Sequence, residues 1–350
     1  MKTEDLDLFL EILNVDSSSS RERTLSDFLA ERFRTEKNRI ERFPVITENA
    51  PLGDGTENLL FSWGKPKLFF CTHIDTVPPY IPPTVEFTPA DGKETGVVKG
   101  RGSCDAKGQI ISMFNACRRL ESEGKDGFAL LLLSGEESGS FGAKSFRMMH
   151  PGGDILVVGE PTDNKMVSAC KGTKSFELTF KGKSCHSGYP QHGISAVERF
   201  VDFMESLRAH RFTEDPVLGK TTWNVGKLSS SNPQNILSDF LTCRIYFRTT
   251  FAADSEVVSF MENLDSEVVA VKAFGGDSPM EYLTLDGFET CTAAFGSDAP
   301  QLGNFKRKIL CGPGSILDAH TPGESVKLSE LDKATEQYVR MFDILVSKAE

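Results

Sequence analysis

The sequence predicts an α/β protein, with a central sheet of buried strands flanked by helices and a smaller α+β domain inserted late in the chain. Three observations carry this. Apolar runs at 68–71, 128–133, 155–158 and 308–311 have the continuous character of strands buried on both faces. Helix-period stretches separate the first three, an alternation that builds a helix-flanked sheet. Between about 172 and 284 the style changes to half-exposed strands in the order β-α-β-β-α-β, that of a ferredoxin-like sandwich. The expected organisation is a discontinuous domain at 1–171 and 285–350, interrupted by an inserted domain at 172–284.

Taken in order, Leu6, Phe9, Leu10 and Leu13 recur at helical spacing and predict a helix over 4–13. A serine patch at 17–20 follows. Ser20 is the expected cap of a second helix reaching Arg34, with Leu25, Phe28, Leu29 and Phe33 on one face. A short strand at 58–61 and a Gly64-Lys65-Pro66 turn lead into the central run at 68–71. Residues 80–100, rich in Pro, Gly and Thr, read as a loop or short hairpin. Gly100-Arg101-Gly102-Ser103-Cys104-Asp105 then precedes a helix at 106–121. The strand 128–133 ends at Ser134-Gly135-Glu136-Glu137-Ser138-Gly139, a helix covers 140–149, and the strand 155–158 ends at Gly159-Glu160-Pro161-Thr162. Within the insert, 176–180, 223–228, 237–248 and 268–274 read as strands, and 193–208 and 254–264 as helices. Gly312-Pro313-Gly314 stops the strand 308–311 before His320, and a helix at 329–348 closes the chain.

Composition excludes several classes. A net charge of −11 counts against nucleic acid or an anionic membrane as the main partner. No apolar run approaches the ~18–20 residues of a membrane span. The first residues carry acids inside their apolar pattern, unlike a secretion signal. The eight cysteines are scattered, with no C-x-x-C pair, and read as reduced core thiols. A cytoplasmic setting is expected. There is no G-x-S-x-G elbow and no G-x-x-x-x-G-K-[ST] phosphate loop.

The chemistry gathers where strands end. In LFFCTHIDTVPP, at 68–79, the apolar strand turns polar at His73 and Asp75, and Pro78 and Pro79 forbid its continuation. Open α/β sheets bind ligands at that carboxyl end. Two residues apart on an extended chain, the pair points one way, which suits a metal-ligating histidine with a carboxylate on its second nitrogen. Alone, the pair reads equally well as a strand end and a turn cap. Other strand ends and loops add Asp105, Glu136 with Glu137, Glu160 and His320. Two histidines and up to five carboxylates form a mixed N/O set suited to zinc, cobalt or manganese. Two metals about 3.5–4 Å apart share a bridging carboxylate, and each then takes one histidine and one acid. Of the two acids left, one can orient a ligand histidine and the other can serve as general base.

With these residues in view, the sequence resembles the dinuclear metallopeptidases and deacylases of the M20 type, a group that includes acetylornithine deacetylase, succinyl-diaminopimelate desuccinylase and carboxypeptidase G. The matching stretches are CTHIDTVP, GRGSCDAKGQ, SGEESGS, VGEPT, CHSGYP and GPGSILDAHTPGE, in the family's order from 71 to 324. The resemblance implies a zinc-exopeptidase-like catalytic domain, with a mixed central sheet and helices on both faces, and a ferredoxin-like insert acting as lid and dimerisation domain. It implies two divalent metal ions, zinc first, with cobalt or manganese as alternatives. His73 and Glu160 would hold one, Glu137 and His320 the other, and Asp105 would bridge. Asp75 would be the partner of His73, and Glu136 the general base.

In the insert, His186 taken alone is an exposed loop histidine. The resemblance makes it a support for the developing oxyanion, supplied by the partner subunit in many members. The resemblance also marks Asn235 and Arg248 as contacts to a substrate carboxylate, a geometry the guanidinium fork fits. Here the sequence departs from the family. Tyr246 stands where an Asp is common, Arg244 competes with Arg248, Ser229 to Ser231 replace a glycine-rich turn, and Gly323 stands where Asn is frequent. The expected activity is removal of an N-acyl group from a small amino acid, foremost N-acetylornithine in arginine biosynthesis, by a homodimer with no nucleic-acid or membrane partner. The alternatives are a desuccinylase of N-succinyl-ornithine or N-succinyl-diaminopimelate, an N-acyl-lysine or N-acyl-citrulline deacylase, a metallodipeptidase, and a non-enzymatic metal-binding scaffold.

Overall fold

The structure, a computed structural model, describes residues 1–47, 50–90 and 93–347, with the backbone alone for 88–90, 93–95 and 347. The chain opens with helices α1 (Thr3–Asn14) and α2 (Arg23–Arg32). Ser20 does not cap α2. It lies in the left-handed region (φ 74°), and the helix begins only after Glu22. Five strands follow: β1 (Asn38–Pro44), β2 (Glu57–Trp63), β3 (Leu68–His73) and the hairpin β4 (Thr84–Ala90) with β5 (Lys93–Lys99). Residues 91 and 92, in the stretch expected as loop or hairpin, lie outside the described residues. Next come α3 (Lys107–Ser122), β6 (Phe128–Leu133), α4 (Phe141–Met149), β7 (Gly153–Val158) and β8 (Met166–Cys170). The insert supplies β9 (Gly172–Lys181), α5 (Ala196–Ala209), β10 (Thr222–Ser229), β11 (Phe240–Thr249), α6 (Asp254–Glu262) and β12 (Val269–Gly275). The return carries β13 (Met280–Glu281), β14 (Thr290–Ala293), β15 (Phe305–Leu310), β16 (Ser325–Lys327) and α7 (Leu328–Phe342).

By their internal contacts the residues form two compact units. One comprises Met1–Ser168, Tyr282–Cys291 and Ser297–Glu350, the other Ala169–Glu281 and Thr292–Gly296. The larger unit holds a six-stranded sheet in the order β1-β2-β6-β3-β7-β15. β1, β2 and β6 pair antiparallel, while β6, β3, β7 and β15 run parallel, so the sheet is mixed. β3 is buried along its whole length and serves both faces by alternation. Leu68 and Phe70 enter the core built by α1, α2, α3 and α7. Phe69 points the other way, with its ring 5.0 Å from Phe305 and 5.8 Å from His150. Each fully buried Leu or Phe side chain here contributes roughly 1.5–3 kcal/mol. The sequence missed β1, which is a half-exposed edge of alternating charges and so lacks the apolar run that marks its neighbours.

The smaller unit is a four-stranded antiparallel sheet in the order β10-β11-β9-β12, the ferredoxin-like arrangement, with α5 and α6 packed on it. Phe176, Leu178 and Phe180 of β9 and Leu241, Cys243, Ile245 and Phe247 of β11 face Phe203, Leu207, Val257 and Met261 of the helices. All eight cysteines are free. No helix among the described residues is long and apolar enough to cross a membrane.

Candidate metal centre

Because β6, β3, β7 and β15 are parallel, their carboxyl ends share one edge of the sheet. His73 is the last residue of β3. β6 ends at Leu133 and turns through Ser134-Gly135 into Glu136 and Glu137. That turn is tight against α4. A Cβ on Gly142 would lie 2.3 Å from the Ser134 carbonyl oxygen, so only glycine lets the helix start there. β7 ends at Val158, and Glu160 follows. Asp105 lies just before α3, and His320 lies in the loop after β15.

The side chains converge. His73 Nε2 lies 3.0 Å from Asp105 Oδ1, and His320 Nε2 lies 3.2 Å from Asp105 Oδ2 and 2.8 Å from Glu137 Oε1. One donor atom each of His73, Asp105 and Glu137 fall within 4.8 Å of one another. Asp105 thus presents one oxygen to each histidine. Glu160 is 4 % exposed and stands within electrostatic reach of His73 and Asp105, yet has no hydrogen-bond partner among the described residues. Burial raises the Glu160 carboxyl well above its ordinary range. Glu136 is raised likewise, first by burial and then by its acidic neighbours. Burial alone would depress His73, but Asp105 and Asp75 hold it well above its usual value. Hydrogen bonds to Asp105 and Glu137 raise His320 to about 10. Burial opposes ionisation of Asp105, and the two histidines reverse this, holding it below the ordinary carboxylate range. Imidazole nitrogens and buried carboxylates meeting at one point are the donor chemistry that zinc, cobalt or manganese accepts, and a cation would offset the crowded negative charge.

Asp75 is tied differently from the expectation. The strand ends at His73, so the alternation does not carry through to Asp75. The nearest partner of His73 Nδ1 is the Asp75 backbone carbonyl at 2.9 Å, with the carboxylate Oδ1 at 3.5 Å. The carboxylate accepts the N–H of Glu136 (3.0 Å) and of Glu137 (3.1 Å), and the Ser19 hydroxyl (3.0 Å). It therefore fixes the glutamate turn as well as facing the histidine.

The serine patch is part of this brace. Ser17 Oγ donates to the Ile74 carbonyl at 2.7 Å, Ser19 N to Thr76 O at 3.1 Å, and Thr76 N to Ser17 O at 3.1 Å. Low complexity hid this role. Asp298 was also missed. It is 2 % exposed, its Oδ1 has no partner, and burial lifts it to about 7. No apolar strand leads into it, so strand-end reasoning had nothing to find.

Within the smaller unit, His186 sits in an exposed loop bridged to Ile236. Its Nδ1 accepts the Gly188 N–H at 3.1 Å. Asn235 is tied to the same loop, its carbonyl accepting the Ser187 N–H at 2.9 Å. Arg248 lies on β11 between Thr222 and Thr173 and packs over the Tyr246 ring at 4.9 Å. No carboxylate pairs with it among the described residues. Arg244, the competing candidate, is engaged by Glu177 at 3.3 Å and by the Phe274 ring at 3.9 Å.

Comparison with known proteins agrees with this architecture. Residues 69–343 match the model of peptidase family M20/M25/M40. A Schizosaccharomyces pombe protein named "Peptidase M20 domain-containing protein C757.05c" is 33 % identical over 96 % of this chain and 83 % of its own length. A "Probable carboxypeptidase" of Aspergillus flavus is 28 % identical over 94 % of this chain and 87 % of its own. Among solved structures, the Bacillus subtilis YXEP protein, described as a dinuclear metal-binding peptidase of the M20 family, superposes with a TM-score of 0.70 at 12 % identity, covering 99 % of this chain and 98 % of its own. The family match takes in most of the chain, including every residue of the His73–Asp105–Glu137–His320 cluster, and on that ground the chain belongs to peptidase family M20/M25/M40 and is a metallopeptidase-type hydrolase of amide bonds.

Proposed function

We propose that the chain is a dinuclear amidohydrolase that cleaves the amide on the amino side of a terminal amino acid bearing a free α-carboxylate. The observation that carries this reading is the Asp105 carboxylate, one oxygen on each histidine. His73 and Glu160 would hold one cation, Glu137 and His320 the other, and Asp105 both, with zinc the first choice and cobalt or manganese the alternatives. When bound, the two cations supply Lewis acidity to the amide carbonyl and acidify a water. Glu136 takes the proton of the attacking water and returns it to the leaving amine. Its neighbour Glu137 points at His320, which leaves Glu136 for this task. His186, whose Nδ1 accepts from the Gly188 N–H, would present Nε2 to the developing oxyanion. Arg248, with no carboxylate partner among the described residues, would hold the substrate carboxylate, with Asn235 as second contact.

Within this class, N-acetylornithine deacetylation is the specific reading that the motif resemblance favours, and N-succinyl amino acids are the nearest variant. C-terminal peptide cleavage is the second reading, supported by the Aspergillus relative's name. A homodimer through a free edge of the smaller unit's sheet, β10 or β12, completes the proposal. The test is a panel of N-acetyl and N-succinyl ornithine, lysine, citrulline and diaminopimelate beside C-terminal dipeptides. Each is assayed after chelation and again after zinc or cobalt is restored. Hydrolysis that survives exhaustive chelation would sink the metal reading, and the preferred substrate decides between deacylase and carboxypeptidase.

A further inference from the structure

We infer that Glu324 is a positioning residue for the metal centre, acting on Asp105 through the backbone. The inference rests on the proposed role of Asp105 as the shared ligand. Glu324 is 1 % exposed, and its oxygens are spent on one loop. Oε1 accepts the backbone N–H of Gly102 at 2.9 Å, of Cys104 at 3.2 Å and of Asp105 at 3.1 Å. Oε2 accepts from Nη1 of the buried Arg101 at 2.5 Å. The Glu324 backbone carbonyl accepts the Gly100 N–H at 3.0 Å. Four amides between Gly100 and Asp105 thus converge on one residue. Converging amides of this kind form a concavity that binds anions, and here the protein's own carboxylate fills it. Gly102 sits at φ +84°, a conformation that glycine adopts without strain.

The same residue reaches the second ligand loop. Arg101 Nη1 also donates to the Thr321 carbonyl at 3.3 Å, and the Glu324 N–H lies 3.4 Å from that oxygen. Thr321 follows His320 directly. The loop carrying Asp105 and the loop carrying His320 therefore share one buried ion pair. Glu324 has no oxygen left to serve as a ligand. Its effect is to set where the Asp105 main chain lies, and hence whether the Asp105 oxygens meet His73 and His320 together.

The test is cobalt(II) titration of the chelated full-length protein, read by visible absorption and calorimetry, with circular dichroism as the check on folding. Glu324→Gln keeps an acceptor oxygen but loses the charge that binds Arg101. It should stay folded and bind cobalt about 10–100-fold more weakly at both steps, the range found when a ligand's supporting partner is removed. A merely structural role would lower the melting temperature and leave both affinities alone. Two cobalt ions bound at unaltered affinity would overturn the inference. Asp105→Ala separates the two levels. If it binds cobalt normally, the ligand reading and this inference fall together. If it loses cobalt while Glu324→Gln does not, the inference alone falls. Should Glu324→Gln not fold, Arg101→Gln is titrated instead. It retains the three amide bonds and should weaken cobalt binding about tenfold, and unaltered affinity there overturns the inference equally.

Discussion

The two units treat their candidate residues in opposite ways. In the larger unit His73 and Asp105 are almost fully buried, and they satisfy one another and their neighbours through direct contacts. In the smaller unit His186 and Asn235 are exposed, Arg248 is half-buried, and none of the three has a carboxylate partner among the described residues. A buried polar group left unpaired costs about 1–3 kcal/mol, a cost that the direct contacts of His73 and Asp105 avoid. Exposed groups carry no such penalty and can await a ligand. On the proposed reading, the larger unit would hold the fixed chemistry and the smaller unit the adjustable recognition.

That comparison is sharpest at Asp105. Asp105→Ala should strip both cations and lower turnover by more than about 10⁴-fold, beyond the range of acid–base catalysis alone. Metal content by mass spectrometry, beside a turnover assay, checks it. Normal metal content would mean that the buried set is organised for something else. Next is Glu136→Gln, expected to keep its metal and lose on the order of 10²–10⁴ in turnover. A variant that loses metal as well would make Glu136 a ligand and not a base.

The smaller unit is tested by Arg248→Ala. Hydrogen bonds to a charged group contribute about 1.5–3 kcal/mol, so KM for free-acid substrates should rise roughly 10–100-fold. The matching methyl esters or amides should be affected much less, and Arg248→Lys should remain impaired because it lacks the fork. Equal effects on acid and ester would remove Arg248 from recognition. The smallest expected effect belongs to Ser19→Ala. It deletes one of the three donors to Asp75 and should cost about 0.5–1.5 kcal/mol in a denaturant titration, with metal content unchanged.

What the sequence made legible follows the same line. β3 and β6 announce themselves by unbroken apolar residues, and an abrupt change to His73 or to Glu136-Glu137 marks where each stops. Length and hydrophobicity suffice for that, as they do for the β-α-β-β-α-β order of the insert. Groups that act through main-chain amides leave no such trace. Glu324 closes the stretch that holds His320 and Gly323 but shows no chemistry of its own there, and its bonds to Gly102, Cys104 and Asp105 cross more than two hundred positions. Ser17 and Ser19 stand in a serine patch whose composition gives no sign of their bonds to Ile74 and Asp75. Asp75 was expected beside His73, yet its carboxylate also grips the turn sixty residues later, because the strand stops sooner than simple alternation assumes.

The order in which the strands enter the parallel part of the sheet has a consequence for biosynthesis. β6, β3 and β7 come from the first half of the chain, whereas β15 and His320 arrive only after the whole insert has been made. Domains generally fold as units while the ribosome delivers the N-terminal end first. A nascent chain ending in the insert would carry His73, Asp105, Glu137 and Glu160 but not His320, which lies in the loop after β15. On the proposed reading, an unfinished chain would lack one of the ligands, and hydrolysis would have to wait until synthesis has passed His320.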